Sequence, residues 1–342
     1  MPRWVGFIGA IAPIHCEQIT GSEMLGFIVI IIGSLCLASQ NVLLRVIFSE
    51  SSIMGQMLWG GFLPATAANS ILVLQLRSVL ILPIMLVLAP RFYPDTWSAL
   101  RQLVHPSKRS LLWRALISSS FLFFALAFLF MAIAFIPAGT ATVLFFTHPV
   151  MTGFLSWKVF GDRPSLLRII ITGVVLTGSI LVVPQASGSA EGQVILGVAA
   201  AFGACFTYSI QGILAQICFT EIHPVPFTVV NFVVMAVLST VCLGIVNVEV
   251  PPDAWSPLWI ISLIASLLTL AGQLLYNVGI HLVSAAIMSI VAVSNPILTT
   301  VIAWLMLQEN LNVQQMIGVV LVVLSIGVLG YEKTQQAKVT ES

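Results

Sequence analysis

Charge is what this chain lacks. Of its 342 residues only 7% are charged and 59% are hydrophobic, with a mean hydropathy of +1.08. Soluble domains carry about 25% charged residues, so an ordinary soluble domain is excluded. None of the 12 acidic residues lies deep within an apolar run: Glu23 and Glu50 flank the first, and Asp162 and Glu309 occupy turns. Carboxylate proton relays are therefore not visible. The five cysteines (Cys16, Cys36, Cys205, Cys218 and Cys242) have no CxxC spacing and mostly sit inside apolar runs. That argues against a disulfide framework, a metal site or a cofactor, and for small buried thiols. A net charge of +1 gives no sign of a nucleic-acid partner.

What is present is long apolar runs. A helix needs about 20 residues to cross a bilayer, and ten such spans are read at 25–48, 70–90, 112–135, 138–159, 165–184, 194–216, 226–248, 257–280, 283–306 and 314–331. The expected fold is an all-α integral membrane protein whose partner is the lipid bilayer. Arg91, Arg101, Lys108, Arg109 and Arg114 surround the second connection, and Lys158, Arg163 and Arg168 the fourth; Arg3 lies in the head, and Lys333 and Lys338 in the tail. With ten spans all of these share one face, while the loops 49–69, 136–138, 185–193, 249–256 and 307–313 contain no Lys or Arg. Positive residues mark the cytoplasmic side, which puts both termini in the cytoplasm. Residues 1–23 read as an uncleaved interfacial segment, with Met24 an alternative start. For the stretch from Ile53 to Pro64, an interfacial or re-entrant hairpin competes with a disordered loop.

The chain also repeats itself. Ala138, Pro149, Thr152 and Trp157 recur as Ala285, Pro296, Thr299 and Trp304 at a spacing of 147, with Asp162 falling on Glu309. This divides the chain into residues 24–184, a linker at 185–193 of composition QASGSAEGQ, a second unit at 194–331 and a tail at 332–342. Five spans per unit is an odd number, so the second unit is inverted relative to the first. Paired helix breaks in duplicated halves point to a substrate site at their interface.

The segment AIAFIPAGTATVLFFTHPVMTGFLSWKVFGDRP (Ala132–Pro164) resembles the end of an EamA-type repeat of the drug/metabolite transporter superfamily. Its second copy, GIHLVSAAIMSIVAVSNPILTTVIAWLMLQENLN (Gly279–Asn312), is similar. The resemblance covers about residues 25–331 and includes Arg77, where many members have an arginine in the second span. It implies ten helices in two inverted repeats and export of small organic metabolites or drugs by alternating access. The chain departs from the pattern in a longer first connection and in having Asp162 where glutamate is more common.

The candidate site residues are the polar groups at depth, which are costly there unless paired or facing an interior. Pro149 and Pro296 are expected to kink their helices, freeing carbonyls near Phe145 and Ala292; beside them stand His148 and Asn295. Asn41 and Gln211 close the matching stretches GSLCLASQN and GACFTYSIQ, and Tyr208 adds a hydroxyl. Gln273, Tyr276 and Asn277 form an i, i+3, i+4 set. Arg77, some 9 Å below the membrane surface at helical rise, is a candidate to hold a substrate carboxylate. Packing and interhelical hydrogen bonds remain the alternative for each residue. His148 is the only deep group that titrates near neutrality. Asp162 and Glu309 are expected to cap the helices that follow them. A channel would call for charged rings or a carbonyl-rich filter, and an intramembrane enzyme for a nucleophile and base at depth. The chain offers neither filter nor paired aspartates, and a carrier of a small organic solute is the leading expectation.

Overall fold

Apolar runs of this length satisfy their backbone only as helices in lipid, and capping residues decide where the helices begin. The computed structural model of the chain describes residues 21–53, 57–160, 166–184, 189–248, 250–283, 291 and 294–341. Helix α1 runs Gly21–Phe48, and α2 (Ala67–Phe92) starts where the Thr66 hydroxyl accepts the Asn69 N–H at 3.1 Å. The amphipathic α3 (Thr96–Val104) precedes α4 (Arg109–Phe135), which stops ahead of Pro137, as helices do. Then follow α5 (Ala138–Phe145), α6 (His148–Phe160), α7 (Leu166–Val182), α8 (Ser189–Cys218) and α9 (Pro224–Leu243). Helices α10 (Trp255–Val283), α11 (Ser294–Leu307) and α12 (Val313–Glu341) complete the chain. Asn312 and Gln315 cap the start of α12 reciprocally, at 2.8 and 3.0 Å, in the manner of a capping box.

Among the described residues six helices are long and apolar enough to cross a membrane: Leu25–Phe48, Ala67–Phe92, Pro106–Phe135, Glu191–Cys218, Pro224–Leu243 and Pro252–Tyr276. Ile169–Val182, Ser294–Leu307 and Val313–Val328 are shorter apolar helices. Of the ten spans read from the sequence, six are thus matched by long apolar helices among the described residues, and the others are shorter or only partly described. The fourth is two helices, broken at Phe146 and Thr147, where the Thr147 hydroxyl turns back to the Leu144 carbonyl at 2.7 Å. Pro149 lies in the first turn of α6, where a missing N–H costs nothing; the residues just before Pro296, 292 and 293, lie outside the described residues. Residues 1–20, Asp162, residues 185–188 of the linker and Ala285 lie outside the described residues, as does most of the chain before α11 in the ninth span.

The first connection forms a hairpin. Strand β1 (Glu50–Ile53) pairs antiparallel with β2 (Met57–Gly60) in the register Glu50↔Gly60 and Ser51↔Trp59. Gly60 and Gly61 have φ of +113° and +67°, conformations natural to glycine. They bring the chain back so that the N–H groups of Gly61 and Leu63 donate to Val46 and Ile47 at the end of α1.

Helix pairing follows the repeat. Helix α1 packs along α10 and α11; correspondingly α8 packs along α4 and α6. The pairs α2 with α9 and α7 with α12 map onto themselves when the halves are exchanged. The α7–α12 seam closes at Gly178 and Gly318, where a Cβ on Gly318 would stand 2.6 Å from the Gly178 carbonyl. Small residues permit such an approach. The largest apolar core, with Leu44, Ile47, Leu63, Ile133, Ile136, Leu144 and Leu258, gathers towards the end of the molecule that carries Arg45 and the hairpin. The opposite end carries Lys108 and α3.

Candidate functional site

At the Arg45 end a largely buried ion pair joins the halves. Arg45 Nε donates to Glu309 Oε1 at 2.9 Å, with side chains 14% and 15% exposed. Arg45 Nη1 also donates to the carbonyls of Ile133 and Ala134, at 2.9 and 2.8 Å, satisfying the end of α4. The second oxygen of Glu309 accepts the Ala138 N–H at 3.1 Å. Glu309 thus caps α5 in the first half rather than the helix that follows it, whose capping is done by Asn312. The expectation for Glu309 is corrected on that point.

At mid-depth the site is built around Arg77. It lies ten residues into α2, roughly 15 Å along the helix at 1.5 Å per residue, and is 6% exposed. Its guanidinium carbon stands 4.8 Å from the centroid of the Phe130 ring on α4. Nη2 donates to the Thr269 hydroxyl of α10. That hydroxyl lies 2.7 Å from the Ala265 carbonyl and 3.3 Å from Gln40 Oε1. Gln40 in turn donates to Asn41 on α1. Arg77 Nε and Nη1 are buried with no acceptor among the described residues.

Two further polar groups flank this one. Tyr276 shares a 2.7 Å hydrogen bond with the Ser34 hydroxyl, and Asn295, 2% exposed, donates to the Ser34 carbonyl at 3.4 Å. On the other side, His148 meets the edge of Tyr208 at 4.7 Å between centroids, with Phe145 packed against both. The Ser209 hydroxyl lies 3.1 Å from the His148 carbonyl. Gln211 is buried, its own carbonyl accepting from Ser118 at 3.2 Å. The side chain of Asn277 lies outside the described residues. Asn41, Arg77, Tyr276 and Asn295 are thus tied to one α1–α10 seam, and His148 and Tyr208 to the α6–α8 contact.

Gln273 is exposed, yet it belongs to a stripe that faces inward. Ser262, Ser266, Thr269, Gln273 and Tyr276 recur at helical spacing along α10; Thr269 touches Arg77 and Tyr276 touches Ser34, whereas Ile264, Leu267 and Val278 form the outer face. Ser262 and Ser266 are fully buried, Thr269 is half-buried and Gln273 is open. Accessibility along this face therefore rises from Ser262 to Gln273, with Tyr276 half-buried beyond it. A serine-threonine stripe at i, i+4 and i+7 was legible in the sequence and is absent from the candidates, as are Gln40, Phe130 and the Arg45–Glu309 pair. A cavity of about 360 Å³ beside Tyr93, Asp95, Lys108, Glu221 and His223 lies beyond the Lys108 end of the helices, away from these groups.

Comparison with known proteins agrees with this architecture. The EamA-like transporter family matches twice, over residues 45–183 and 195–331. A relative from Synechocystis sp., described as an uncharacterized transporter, is 37% identical over 311 residues, or 91% of this chain and 94% of that one. One solved crystal structure shares the fold at a TM-score of 0.51 and 18% identity, covering 94% of this chain and 99% of its own.

Proposed function

The chain belongs to the EamA-like transporter family and is a multi-pass membrane protein, and on that premise we propose that it exports a small organic solute by alternating access. It works in the cell membrane as two inverted five-helix units with both termini in the cytoplasm, since every loop Lys and Arg falls on one face. The observation that carries this reading is the gradient along α10. The inward stripe is sealed at Ser262 and Ser266 beneath the Arg45–Glu309 pair and open at Gln273. On the proposed topology this conformation faces the cytoplasm, ready to load. Opening the other end requires breaking the bond that Glu309 makes to Arg45 and to the start of α5.

Single cysteines at positions 266 and 273, in a background without the native five, test the reading with a membrane-impermeant maleimide. Gln273→Cys is expected to label from the cytoplasmic side only. Ser266→Cys is expected to stay protected until Arg45→Met is added, and then to label from outside while Gln273→Cys loses reactivity. Simultaneous reactivity of both positions from both sides would indicate a pore. Comparing small molecules in culture medium with and without the gene then tests direction.

A further inference from the structure

We infer that Arg77 is an anion-binding residue and that the transported solute carries a carboxylate, an inference that rests on the transport reading above and deepens it. An arginine stays protonated under all ordinary conditions, so its charge has to be balanced or solvated. Arg77 has neither. It is 6% exposed, and three of its five N–H donors, one on Nε and two on Nη1, find no acceptor among the described residues. The acidic residues of the spanning segments, Glu191 and Asp253, stand at their very ends, and the ion pairs among the described residues are Arg45–Glu309 and Arg114–Glu221. Among the described residues no counter-charge faces Arg77, and a bound anion would supply it.

The surroundings fit a carboxylate. The Phe130 ring covers the guanidinium without consuming a donor, and Thr269 and the Gln40–Asn41 pair supply neutral groups alongside. Thr269 stands on the stripe that opens at Gln273, which connects Arg77 to the accessible end. One isolated cation neutralises a single negative charge and leaves a phosphate dianion with an excess, so a monocarboxylate is the better match.

The test uses purified full-length protein in detergent and reads its Tm. The probes are benzoate, L-lactate and L-phenylalanine, each beside its uncharged-carboxyl amide, and inorganic phosphate. Without any probe, Arg77→Met is expected to be at least as stable as the wild type, because it removes a buried, uncompensated charge. At least one acid is expected to raise the wild-type Tm by several degrees, with its amide and phosphate ineffective and with Arg77→Met unresponsive. A probe-free fall in Tm for Arg77→Met would show a structural arginine and overturn the inference. So would acids that act no better than their amides, acids and amides that are both silent, an acid response that survives in Arg77→Met, or phosphate as the only stabiliser. The cysteine experiment on the two ends does not depend on what Arg77 holds, so alternation and the anion site fail separately.

Discussion

Helices α5 and α6 share one span and lie end to end, yet they have opposite surroundings. Every residue of Ala138–Phe145 is buried, whereas no described side chain of His148–Phe160 is. The glycines follow suit. A Cβ on Gly139 would stand 2.6 Å from the Thr300 hydroxyl, while one on Gly153 would meet nothing within 4 Å. The difference is not composition, since both helices are apolar. It lies in what covers them: α5 is enclosed by the main core and pinned by Glu309, and α6 is held mainly along α8. Helix α5 thus sits in packed surroundings and α6 in loose ones, although the Lys108 end has a packed cluster of its own around Leu103, Leu111 and Phe227.

The comparison breaks most readily at the ion pair. Arg45→Met leaves the Glu309 carboxylate with the Ala138 N–H alone and orphans the carbonyls of Ile133 and Ala134. Loss of about 3 kcal/mol is expected at the Arg45 end, seen as faster hydrogen exchange in α5 with little change in α6. Equal acceleration in both helices would mean that the two ends open together. Next in size is Gly318→Ala, where a methyl group meets the Gly178 backbone; thermal unfolding should register a loss of about 2 kcal/mol. Gly153→Ala should reverse the sign and gain about 0.5–1 kcal/mol through helix propensity. If Gly153→Ala proved as harmful as Gly318→Ala, the surroundings of α6 would not be loose. The smallest effect belongs to Arg114–Glu221, whose side chains are 48% and 49% exposed at 3.7 Å. Arg114→Gln should change stability by less than about 0.5 kcal/mol, so that of the two ion pairs only the one beside α5 matters.

Much of this was legible in the sequence, because it depends on local patterns. Apolar length announces helices, the 147-residue offset announces two copies, and a polar group deep in an apolar run marks a candidate; Asn41, Arg77, Tyr276 and Asn295 were picked out that way and lie along one seam. What stayed hidden depends on partners far apart in the chain. Glu309 sits one short turn before α12 and looks like its cap, and nothing local says that it binds Ala138 and Arg45 instead. In the first copy the chain does break near Pro149, but at Phe146 and Thr147, and Pro149 stands in the first turn of the next helix. Gln273 read as one member of a three-residue face, and its exposure, unlike the burial of Ser262 and Ser266 on the same face, has no local signature.

The bond between Glu309 and Ala138 also sets an order of assembly. A ribosome delivers about 5–20 residues per second, so the start of α5 is in the membrane roughly 10–30 s before its cap has been made. In that interval the start of α5 is uncapped and Arg45 lacks its carboxylate, so the first half gains these two contacts only once the second half has been made.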